Sequence, residues 1–132
     1  MRTARYAYAA LAWLFVIGVA VQAFLAGIGL FSGDPRDWGT HIQLGWTLAH
    51  LVPLVWLLVA FVARVGRRTL IQVAVVFGLS AVQPFLPGLR DTNALLAALH
   101  PLNALLMFGL GLRLALESRS FLSSGLEPPA AG

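Results

Sequence analysis

Apolar residues run along this chain in four long stretches, separated by short clusters of Arg, Asp, Gly and Pro. About 20 apolar residues are enough to cross a bilayer core as a helix. The pattern predicts helix 1 over residues 6–31, helix 2 over 38–63, helix 3 over 69–86 and helix 4 over 92–117. Ser32-Gly33-Asp34-Pro35 and the Pro-rich stretch 84–88 are turn formers and mark two of the connections. Residues 118–132, with Ser, Gly and a Pro-Pro pair, read as a loose tail. The predicted fold is all-α: a four-helix transmembrane domain over residues 1–117, built of hairpins 6–63 and 69–117, followed by that tail.

Composition agrees. The chain of 132 residues is 59% hydrophobic and 11% charged, against roughly 25% charged residues in soluble domains. A soluble catalytic domain or nucleotide-binding fold has no room here, so function must be built from side chains inside the bundle. The net charge of +4 forms no basic stripe, and nucleic acid is not an expected partner. The charge reports topology instead. Arg2, Arg5, Arg64, Arg67, Arg68, Arg113 and Arg119 fall on one side, with Arg36 and Arg90 on the other. The positive-inside rule then puts both termini in the cytoplasm of a bacterial plasma membrane. Helix 1 also looks like a signal peptide, but its apolar run is long for one and it has a counterpart later in the chain. With 0 cysteines, disulfides, thiolate metal sites and cysteine nucleophiles are excluded.

That counterpart is a repeat. Ala20-Val-Gln-Ala-Phe-Leu-Ala-Gly27 aligns with Ala81-Val-Gln-Pro-Phe-Leu-Pro-Gly88 at six of eight positions, pairing Gln22 with Gln83. Helices 2 and 4 match more loosely: His50 precedes Arg64 by 14 residues and His100 precedes Arg113 by 13, each His followed closely by Pro. Two tandem hairpins of one topology imply a pseudo-two-fold axis along the membrane normal. His50 and His100 are expected to face each other across it.

Ionisable and polar groups at membrane depth are functional candidates by default. Gln43 and His50, seven apart, share one face of helix 2 with Trp46, whereas His41 lies about 180° round the helix from His50. At 1.5 Å per residue, His50 lies about 18 Å below Trp38 and His100 about 12 Å below Thr92, so the two can reach one level. His41 is expected near the surface, apart from that pair.

Two inward imidazoles on different helices suit bis-histidine ligation of one haem b per chain. Without acidic groups in mid-span, hard cations lack oxygen ligands, and zinc would be short of ligands. Gln22, Gln83 and Asn103 are candidate partners for the second ring nitrogen of each His; Asn103 could instead take a carbonyl freed by Pro101. Arg36, Arg90 and His41 are available for propionates. The expected role is an electron carrier rather than an enzyme, working with a membrane quinol or an extracytoplasmic redox protein, in a monomer or a homodimer. The same residues would also serve a proton or small-solute transporter, haem trafficking or sensing, or plain structural hydrogen bonding between helices. The residues alone leave these open.

The segment Leu99-His-Pro-Leu-Asn-Ala-Leu-Leu106, with the upstream Gln-x-Phe-Leu-x-Gly and the helix bearing His41 and His50, resembles a family of small four-helix membrane proteins of actinobacteria and related bacteria whose function is unknown. The resemblance covers residues 6–117 and implies no activity. In architecture the chain is similar to four-helix membrane cytochromes b, in which histidines on separate helices hold haem.

Overall fold

A computed structural model describes residues 2–123. Helix α1 spans Arg2–Phe31 and α2 spans Trp38–Ala63, joined through a 3-10 turn at Pro35–Asp37. Helix α3 spans Arg67–Val82 and passes into a 3-10 segment, Gln83–Leu89; a short α4, Ala94–Ala97, precedes α5, Leu99–Ser123. Four of these helical runs are long and apolar enough to span a membrane, and there is no strand among the described residues. The protein is an all-helical membrane bundle.

Local chemistry sets the boundaries. Asp34 caps the first connection, accepting the Arg36 N–H at 2.9 Å, with Pro35 next to it at a position where no N–H is needed. The Arg36 guanidinium and N–H hold the Asp34 carboxyl below its ordinary range. Pro84 and Pro87 each lack the N–H that an α-helix requires. Helix 3 therefore leaves α geometry at Gln83, where continuous helix was expected up to residue 86. Pro101 likewise cannot bond the Ala97 carbonyl, and the expected helix 4 is divided at Ala98. Asn93 caps α4 by accepting from Leu95 N–H at 3.0 Å and Leu96 N–H at 3.2 Å. At the other end α5 continues to Ser123 instead of stopping at Glu117; the remainder of the expected tail lies outside the described residues.

Neighbouring helices follow the order α1, α2, α3, α5 around the bundle, with α5 returning to α1. The diagonal pairs are α1 with α3 and α2 with α5, as two tandem hairpins about a central axis require. Trp56, Tyr8, Phe15, Val73, Val76 and Leu114 fill the core. Lipid is as apolar as leucine, so these helices are held by close packing rather than by exclusion of water. Close packing is visible where glycine lets a neighbour in: a Cβ on Gly29 would lie 2.6 Å from the Trp38 ring, and one on Gly18 would collide with Leu48. Large apolar side chains such as Phe24, Leu30, Phe61 and Leu105 face outward, where hydrocarbon replaces water.

Candidate functional site

The inward face of α2 is set at helical spacing, two turns from Leu48 to Trp56 and then four and three residues to Ala60 and Ala63, all buried. Extended back about two turns, this stripe reaches Gly45 and His41. His41, rather than His50, is therefore the histidine that α2 directs into the bundle. Its imidazole lies beside that of His100, with ring centroids 6.4 Å apart and planes inclined at 67°. The two rings come from diagonally opposed helices, at the end of the bundle remote from the chain termini.

Each ring is tied to the helix before it in the same way. His41 Nδ1 lies 3.1 Å from the Gln22 carbonyl, and His100 Nδ1 lies 3.0 Å from the Gln83 carbonyl. A carbonyl only accepts, so His100 Nδ1 carries the proton, and its Nε2 lies 3.5 Å from Gln83 Nε2; His41 Nδ1 donates to the Gln22 carbonyl in the corresponding tautomer. The Gln83 carbonyl has capacity for this bond because its α-helical partner would be the N–H that Pro87 lacks. The Gln side chains complete the clasp. Gln83 Nε2 donates to the His100 carbonyl at 3.0 Å. With the Gln22 amide turned so that its nitrogen faces helix α2, Nε2 lies 3.0 Å from the His41 carbonyl and 2.9 Å from His41 Nδ1, while Oε1 accepts the Gly45 N–H at 3.0 Å. Gly45 makes this possible, since a Cβ there would crowd the Gln22 amide at 3.3 Å.

Gln22 with His41 and Gln83 with His100 are thus equivalent pairs, one per hairpin. The second is reinforced: Asn103 Nδ2 donates to Gln83 Oε1 at 2.7 Å and to the Leu79 carbonyl at 2.9 Å. Asn103 is buried and serves the Gln83 amide, not a carbonyl freed by Pro101. Ser80, one turn before Gln83, is fully buried with its hydroxyl unpartnered.

The expected pairing of His50 with His100 is corrected. His50 stacks on Trp46, centroids 5.0 Å apart, with Nδ1 at 2.9 Å from the Trp46 carbonyl of its own helix. The face it shares with Gln43 and Trp46 lies off the axis: Gln43 is exposed and His50 half-buried, and Trp46, 46% exposed, meets the Phe85 ring of the second hairpin at 5.6 Å. Equally, His41 is not a separate surface histidine but a neighbour of His100. A signal in the sequence pointed to it. The matched glutamines precede these histidines by 19 and 17 residues, whereas Gln22 precedes His50 by 28. Aligning on His41 nearly equalises the two connections. Of the propionate candidates, Arg36 is engaged by Asp34 at 2.7 Å, and Arg90 lies 3.6 Å from Asp91.

Chemically, the site offers two imidazoles and, among the described groups that touch them, no carboxylate. No group of three or more His, Cys, Asp or Glu side chains is placed to hold a metal among the described residues. Two nitrogens leave zinc short of its usual four ligands.

A family model described as a family of unknown function (DUF6220) matches residues 22–90. The match begins at Gln22, includes His41 and Gln83, and ends before His100. No curated protein and no solved structure matches the chain.

Proposed function

The chain belongs to the DUF6220 family, and from the geometry of its own residues we propose that it is a b-type cytochrome, binding one haem through His41 and His100. The observation that carries this reading is the 6.4 Å spacing of two imidazoles whose Nδ1 atoms are both committed to carbonyls. A ligating His ordinarily donates its second ring N–H in this way, which fixes tautomer and ring orientation. His100 Nε2, the nitrogen that would hold the iron, lies 3.5 Å from Gln83 Nε2, so haem would replace that contact. The donor set fits the group: two imidazoles from different helices could hold a haem iron.

When bound, haem supplies one-electron redox chemistry. His41 and His100 would both hold the group, and two protein ligands favour electron carriage over oxygen chemistry. Gln22 and Gln83 hold the rings, and Asn103 holds Gln83. The asymmetry between the hairpins makes His100 the more firmly positioned ligand. The redox partner in this reading is a membrane quinol or an extracytoplasmic protein. The distribution of arginines orients the chain with its termini in the cytoplasm of a bacterial plasma membrane, so that the histidines lie toward the outer face.

The test is a visible spectrum of detergent-purified protein expressed with haem supply. The expected result is one haem per chain, with a sharp Soret band and split α and β bands on reduction. A colourless protein would remove this reading and leave the histidine and glutamine cluster as a hydrogen-bonded strut or a transport path.

A further inference from the structure

The outward face of α2 differs from its counterpart in the second hairpin. Gly39, Gln43 and Thr47 recur at four-residue spacing along one side of α2, flanked by Trp46 and His50. Gln43 and Thr47 are exposed. The Thr47 hydroxyl reaches only the Gln43 backbone carbonyl, at 3.4 Å, and nothing lies within 4 Å of a Cβ placed on Gly39. With His41 aligned on His100, the equivalent residues of α5 to Gln43, Trp46, Thr47 and His50 are Leu102, Leu105, Leu106 and Gly109. These leucines are 52%, 69% and 56% exposed, an ordinary lipid-facing surface. The first hairpin instead presents an amide and a hydroxyl, bordered by the half-buried His50 ring stacked on Trp46, which rests against Phe85. His50 sits seven residues, about 10 Å, deeper than Gln43, and polar groups left unpaired in hydrocarbon are costly.

We propose that this face of α2 packs against the same face of a second copy of the chain. Two copies in one membrane orientation are related by a two-fold along the normal, which brings each residue near the axis to its own counterpart. A primary amide carries donor and acceptor together, so Gln43 pairs with Gln43 of the second copy. Thr47 supplies a hydroxyl donor and His50 Nε2 an acceptor. Gly39 lets the backbones approach closely, as small residues do at membrane helix contacts. A lipid chain provides none of these partners. The proposal is independent of haem, because neither His41 nor His100 lies on this face.

The chain has 0 cysteines, so a single-cysteine variant reports one position. The full-length variants Gln43→Cys, Thr47→Cys, Leu102→Cys and Leu106→Cys are reconstituted in liposomes and treated with a short bis-maleimide. Cross-linked dimer is expected several-fold more at 43 and 47 than at 102 and 106. Gln43→Leu, which introduces the residue type α5 already carries, leaves the fold intact and weakens dimerisation measured by energy transfer between labelled copies, by about threefold for each hydrogen bond lost. A chain that stays monomeric, cross-links equally at all four positions, or dimerises as well after Gln43→Leu as before it overturns the proposal.

Discussion

His41→Ala or His100→Ala is expected to abolish haem retention, whereas His50→Ala retains it at the wild-type ratio. Losing even an outer partner of a ligating His costs about 10–100-fold in affinity, and losing the ligand itself costs at least as much. His41 and His100 are each held by a glutamine from the preceding helix, at 3.1 and 3.0 Å. Removing either imidazole takes away one of the two nitrogens that would hold the haem, while the clasp that would place it remains. His50 contributes its ring to Trp46, outside that arrangement. The variants are compared by haem-to-protein ratio and by the reduced spectrum, with helicity as the control for folding. Gln83→Leu should fall between the extremes: the His100 ring keeps the backbone carbonyl of residue 83 but loses the side-chain support that Asn103 stabilises.

The second large effect concerns the fold. Trp56 is fully buried and touches Tyr8 and Phe15, with ring centroids at 5.8 and 5.7 Å. Trp56→Ala removes the largest side chain of the core and leaves a cavity where packing is the main cohesive force. The expected loss is about 3 kcal/mol of unfolding free energy, measured by denaturant titration in mixed micelles. Trp56→Phe should cost much less. The indole N–H has no partner, so Phe keeps most of the packing and removes an unpaired donor. Equal damage from both variants would mean that the N–H is bonded after all.

Helix 2 was legible to the residue, because Asp34, Pro35 and the Arg64 to Gly66 turn bracket its apolar run. Helices 3 and 4 were legible in place but not in form. Pro84, Pro87 and Pro101 divide them by removing N–H groups, and hydropathy does not register that loss. The glutamine repeat was legible, whereas the partner of His100 was not. Helical spacing tells which residues share a face, yet in a bundle surrounded by lipid both faces are apolar, and nothing in the period says which turns inward. Gln43, Trp46 and His50 formed the more conspicuous polar stripe, and that stripe faces out. The distance from each matched glutamine to the next histidine carried the correct register, because it counts the residues needed to climb one helix, turn and descend the next.

The account stands or falls on two nitrogens from His41 and His100 sharing one iron. The most direct measurement is the electron paramagnetic resonance spectrum of the oxidised, haem-loaded full-length protein, in wild type and in His50→Ala. A low-spin signal of bis-imidazole ligation, the same in both, is the predicted result; a high-spin five-coordinate signal in the wild type, or loss of the low-spin signal in His50→Ala, would contradict it.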